Sequence, residues 1–175
     1  MLYHASKISG LRELTPCRST HGAEYVYAIK NRITAICFGA SKDDFDLLMD
    51  EVDGITVLYE CYPGAFQRIY AGKNCSLYEV SEEGFLEGQT GWDAELVCTS
   101  SVPVIREERI NDIYSALKEA VKQGLCVMNE YTENTVYQSM LQDELAERVQ
   151  MYGLTEEQMN QDTRFANYLN TLLGR

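Results

Sequence analysis

The chain has 175 residues, with 27 acidic against 15 basic side chains and a formal net charge of -12. That excess of negative charge excludes duplex DNA or RNA as a main partner, because phosphate binding by a whole face needs clustered Lys and Arg. A hydrophobic fraction of 45% excludes a disordered chain, and the length fits about one domain.

In chain order, Leu2-Tyr-His-Ala-Ser6 reads as a short strand, followed by a turn and a helical or irregular segment ended by Pro16. Glu24-Tyr-Val-Tyr-Ala-Ile29 alternates, with Tyr25, Tyr27 and Ile29 on one face and Val26 and Ala28 on the other, so a strand is expected. Ile33, Ile36, Cys37 and Ala40 then fall at helical spacing. The acidic cluster Asp43, Asp44 and Asp46 lacks the pattern of a calcium loop and reads as a solvated helix start. The run from Ile55 to Tyr62 is strongly β-prone and is closed by turn chemistry at Pro63-Gly64. Ser76 to Val80 is another short strand. Glu95 to Ile105 reads as two strand pieces broken at Ser100-Ser101, with Pro103 confining the second to an edge or a bulge.

From Ile110 the period changes. Ile110, Ile113, Tyr114, Leu117 and Val121 make a helical stripe that Gly124 stops, and Met140, Leu141, Leu145, Val149 and Tyr152 make a second, closed by Gly153. Thr155 and Gln158 have the form of a capping box, and Phe165, Tyr168, Leu169 and Leu172 mark a last amphipathic helix. The expected organisation is an α+β body over residues 1–108 and an α-helical extension over 109–175, which packs on the body or builds a homodimer. The six cysteines stand singly, with no CxxC pair, and read as reduced, mostly buried thiols rather than a disulfide framework or a metal site. No apolar run approaches the roughly 20 residues of a membrane span. No signal peptide precedes the first strand, so a cytoplasmic protein without a membrane partner is the expectation.

Three patches resemble, in order, the motifs of the ADP-ribosyltransferase fold, shared by the poly(ADP-ribose) polymerases and the small bacterial rifampin ADP-ribosyltransferases. Leu2-Tyr-His-Ala-Ser6 is similar to the first motif: an apolar pair, His, a small residue, then Ser or Thr. Where the family commonly has Gly after the His, this chain has Ala5. The stretch from Tyr25 to Phe38 resembles the second, with Tyr27 at the tyrosine of the strand and Ala35 at the small helical position. Residues 93–105 resemble the third, with Glu95 as the acidic residue heading a strand. The resemblance implies a split β-sheet body, NAD as the substrate and ADP-ribose transfer to an acceptor. In an inactive member the same cleft would be a ligand- or protein-binding module. It gives His4, Tyr27 and Glu95 the catalytic positions and sets His4, Ala5, Ser6, Tyr25 and Tyr27 around the dinucleotide. No metal is implied.

The chemistry explains the residue types. Cleavage of the nicotinamide–ribose bond passes through an oxocarbenium-like sugar, as glycoside hydrolysis does. A carboxylate at Glu95 would stabilise that charge and orient the ribose, His4 would hydrogen-bond a ribose hydroxyl, and Tyr27 would stack on the nicotinamide ring. Two phosphates would draw on Lys7, Arg12, Arg18 or Arg32. Each residue also has a plainer reading. His4 opens an edge strand, His21 sits in a loop, Tyr25 and Tyr27 are core aromatics, and Trp92 is a packing anchor. Glu95 has Glu60, Glu79 and Asp93 as rivals.

Overall fold

The computed structural model describes residues 1–18 and 23–165. His21, Gly22 and the apolar positions 168, 169 and 172 of the expected last helix lie outside them. Alternation of apolar residues builds the larger sheet. Its strands are β1 (Leu2–Ser6), β2 (Glu13–Leu14), β3 (Cys17–Arg18), β4 (Glu24–Ile29), β7 (Cys75–Val80), β8 (Glu95–Cys98) and β9 (Val102–Ile110). They lie in the order β2-β9-β7-β1-β4-β3, with β8 also paired to β4, and all pairs are antiparallel. A second sheet joins β5 (Leu47–Val52), β6 (Ile55–Glu60) and β10 (Cys126–Asn129), with β10 parallel to β6. The β5–β6 turn has both Asp53 (φ 51°) and Gly54 (φ 78°) in the left-handed region, which is what a two-residue hairpin loop matched to strand twist requires.

The helices among the described residues are α1 (Arg32–Cys37), α2 (Ala65–Tyr70), α3 (Ile113–Lys122), α4 (Thr135–Tyr152) and α5 (Glu156–Gln161), followed by a 3₁₀ turn at Thr163–Phe165. On β4 the two faces separate as the alternation requires. Val26 and Ala28 enter a core with Leu2, Tyr78 and Leu96. Ile29 enters a larger core that joins the two sheets through α1, α2 and α3 (Ile36, Phe66, Leu117). A third cluster seats α4 and α5 on the smaller sheet through Leu48, Leu141, Leu145 and Met159. The glycine stops and the Thr155–Gln158 capping box form as the spacing indicates.

The structure differs from the sequence reading in four places. Asp43, Asp44 and Asp46 do not start a helix: the Asp46 carboxylate accepts the Asp43 N–H at 2.9 Å and the chain turns into β5. Residues 65–70 form α2, a single turn and a half buried through Ala65, Phe66, Ile69 and Tyr70. The extension over 109–175 is not all helix, because it contributes β10 to the smaller sheet, and the boundary at 108 falls inside β9. Within α3 the buried stripe is Ile113, Leu117 and Ala120; Ile110 ends β9 and Val121 is exposed. Pro103 lies beyond the part of β9 paired to β7, next to a register shift at Glu79/Val80, where a missing N–H costs no β7 bond.

All six cysteines are free and five are buried. Burial pushes the Cys37 and Cys61 thiols up to about 12, which keeps them unreactive. No helix among the described residues is long and apolar enough to cross a membrane. Gly39 follows α1 where the chain runs against β7: a Cβ there would stand 2.4 Å from Cys75 Sγ and 3.0 Å from Ile113 Cδ1. Gly39→Ala is therefore expected to cost about 1–3 kcal/mol by overpacking, read as a lowered denaturation midpoint. An unchanged midpoint would show that this contact has slack.

Candidate functional site

Strands β1 and β4 pair at one point only, Tyr3 opposite Ile29. Beyond it they part, and a hollow of about 650 Å³ opens between them. Cross-strand partners share a face, so Tyr3, Ile29 and Glu95 (opposite Ile29 on β8) point the same way, and the two-residue period adds Ala5 and Tyr27. The far wall is the loop after α1, from Phe38 to Phe45, together with Tyr152 and Leu154 at the end of α4.

His4 has the parity of Leu2, not of Tyr3 and Ala5, and reaches the hollow through the parting of the strands. Its Nδ1–H donates to the Tyr27 carbonyl at 2.8 Å, capping a backbone acceptor where the ladder has ended. With a carbonyl as partner the proton must sit on Nδ1, which leaves Nε2 a lone pair and acceptor character. Burial pushes the imidazole below its ordinary value, and the hydrogen bond to Tyr27 works the other way without reversing it. The ring is therefore neutral at pH 7. A depressed histidine contributes stability that is fully present above its unfolded value of about 6.5 and is lost as pH falls through the folded value. The fall in thermal midpoint between pH 7 and pH 5 is expected to be smaller in His4→Gln than in the wild type; equal falls would place the titration elsewhere.

Tyr27 is held from both ends: its hydroxyl donates to the Ala23 carbonyl at 3.1 Å, and its ring meets the Tyr25 ring edge-on at 5.9 Å. Tyr25 lies outside the hollow's walls and braces Tyr27 from behind. Ser6 is also outside them, its Oγ accepting the Ile8 N–H at 3.1 Å. Of the residues singled out from the sequence, the fold thus gathers His4, Ala5, Tyr27 and Glu95 around one space. Ala35 lines it too. The rival carboxylates lie elsewhere. Glu60 is buried against backbone N–H groups, Glu79 pairs with Arg106 at 3.5 Å, and Asp93 is exposed. Trp92 packs against Phe38 with ring centroids 5.8 Å apart, as an anchor does. Ser100 and Ser101 form the bend between β8 and β9.

Periodicity gave no sign of Lys42, Asp43, Asp44 or Tyr152 as wall residues. Lys42 lies over the Phe38 ring, its nitrogen 4.4 Å from the centroid, and burial pushes its ammonium group down. The Tyr152 hydroxyl donates to Asp44, and Arg148 donates to the Asp44 carbonyl, so α4 is tied to the loop that walls the hollow. Arg32 is held by Glu108 at 2.6 Å; of the four cations considered from the sequence only Lys7 comes near, donating to Ser41 Oγ at 2.5 Å. Among the described residues no cluster of three or more His, Cys, Asp or Glu has the form of a metal site.

The geometry defines a mixed α/β protein, largely of antiparallel strands, with a histidine, a tyrosine and a carboxylate around an opening in its larger sheet. Comparison with protein-family models, with curated proteins and with solved structures finds no match.

Proposed function

We propose that the protein has an ADP-ribosyltransferase-like fold, binds NAD in the hollow between β1 and β4, and transfers ADP-ribose to an acceptor. The observation that supports this reading is that His4, Tyr27 and Glu95, from three separate strands, border one space. In the reaction the bond from ribose C1′ to the nicotinamide nitrogen breaks with its electron pair going to the nitrogen, so nicotinamide leaves neutral. The acceptor's nucleophilic atom then bonds to C1′ and gives up its proton to solvent or to a carboxylate. His4 Nε2, the only ring nitrogen left as an acceptor, would take a hydrogen bond from a ribose hydroxyl. The Tyr27 ring, fixed by Ala23 and Tyr25, would present a face to the nicotinamide. Glu95 would stabilise the positive charge that develops on the sugar.

The test is incubation with NAD and chromatography for free nicotinamide, with intact-mass measurement for self-modification. Wild-type protein is expected to release nicotinamide and His4→Ala to lose the activity; no release above background would end the enzymatic reading. The second reading, a ligand-binding module without turnover, is favoured by one observation: three carboxylates, Asp43, Asp44 and Glu95, line the hollow, an acidic surrounding for a ligand that carries two phosphates. A rise in thermal midpoint with NAD or ADP-ribose but no nicotinamide release selects it.

A further inference from the structure

Behind Ser41 lies a second hollow of about 760 Å³, which shares Ala40, Ser41 and Asp43 with the first. Several cations of this acidic chain are neutralised locally: Lys30 by Glu87, Arg32 by Glu108, Arg106 by Glu79, Arg109 by Glu107 and Lys122 by Glu119. Lys7, Arg68 and Lys73 have no ion pair among the described residues, and all three line the second hollow. Lys7 spends one donor on Ser41, and Arg68 spends one on the Tyr62 hydroxyl at 3.4 Å, so both keep further N–H groups available. Asn74 stands beside Lys73 in the same wall.

Three carboxylates also border this space, Asp43, Asp46 and Asp162, but each is already engaged by Arg164, at 2.6, 3.0 and 2.6 Å. Burial pushes Asp46 up, yet the hydrogen bonds from the Asp43 N–H, Tyr62 and Arg164 outweigh it and hold the carboxyl below its ordinary value. The three acids are therefore gathered around one guanidinium, and Lys7, Arg68 and Lys73 are the other charged groups of the lining, Arg68 within electrostatic reach of Asp162. We propose that this second hollow is an anion site that takes a phosphate or pyrophosphate group of a small molecule. Two ammonium groups and a guanidinium suit a multiply charged oxyanion, since each phosphate oxygen accepts a charge-assisted bond. The proposal rests on the second hollow alone and stands whether or not the first hollow turns over NAD.

Calorimetric titration with inorganic pyrophosphate tests it. Wild-type protein is expected to bind, and Lys73→Ala to weaken binding by about ten- to a hundredfold, the loss of one charged hydrogen bond. Lys7→Ala combined with Lys73→Ala should abolish it at millimolar concentrations, and added salt should weaken the wild type. Both lysines are exposed, so these variants keep the fold, which an unchanged thermal midpoint verifies. Glu95→Gln is expected to bind pyrophosphate as the wild type does, which separates this site from the first hollow. Competition with ADP-ribose would show that the two hollows hold one ligand; simultaneous binding would show a separate phosphorylated molecule. No wild-type binding at millimolar pyrophosphate, or binding that the double variant leaves unchanged, overturns the proposal.

Discussion

Glu95→Gln is expected to lower nicotinamide release from NAD by about a hundred- to a thousandfold, the usual loss when one preorganised electrostatic contact to a developing charge is removed. The amide keeps the size of the carboxylate and its capacity to accept a hydrogen bond, so what is lost is the full negative charge. Glu95 is half-buried at the head of β8, and its place there is fixed by the backbone: its N–H donates to the Trp92 carbonyl at 3.1 Å and it pairs with Ile29. The substitution should change stability by no more than about 1 kcal/mol. It should lower kcat more than it raises KM, because the charge on the sugar exists only in the transition state. Release by Glu95→Gln at the wild-type rate would show that this carboxylate does not face the reacting sugar.

The second large effect concerns the carboxylate that the sequence offered as a rival. Glu60 is 4% exposed, yet it lines neither hollow. Its two oxygens accept from the Phe66 N–H at 2.7 Å, the Gly64 N–H at 3.3 Å and the Tyr131 N–H at 3.0 Å. One side chain at the end of β6 thereby satisfies the start of α2 and the segment that leads into α4. Glu60→Ala would leave those donors without a partner in a dry interior, at about 1–3 kcal/mol for each that water cannot reach. A loss of about 3 kcal/mol or more is expected in denaturant unfolding. Glu79→Ala, whose partner Arg106 is exposed, should change stability by no more than about 1 kcal/mol. Similar small losses in both would show that α2 and the Tyr131 segment are held by packing alone.

The sequence displays the strands whose side chains divide between two environments. Tyr25 to Ile29 alternate because Val26 and Ala28 meet one core while Tyr27 and Ile29 meet the other side. Helix ends were legible where a local bond defines them, as at Thr155 and Gly153. β10 was hidden because it has four residues, of which only Cys126 is buried, and its ladder is with residues 56–59, some seventy positions earlier. β5 and the Asp53-Gly54 turn after it went unread because the acidic residues before them suggested a helix start, and Asp46 proved instead to answer Arg164 from the far end of the described chain. The site divides the same way. His4, Tyr27 and Glu95 were found through the order of three motifs, each on its own strand. The Phe38–Phe45 loop, Tyr152 and Leu154 come to the hollow through tertiary packing, for which no short motif exists.

The parallel pairing of β10 with β6 bears on how the protein is made. Elongation runs at about 5–20 residues per second, so several seconds separate the appearance of β6 from that of its last neighbour. During that interval one border of the β5–β6 hairpin is bare, with unsatisfied peptide groups and with Leu58 not yet sealed. Such a border is a template for stray association. The nascent chain is thus most vulnerable before Asn129 has left the ribosome, and a chaperone that shelters that edge would act in this window.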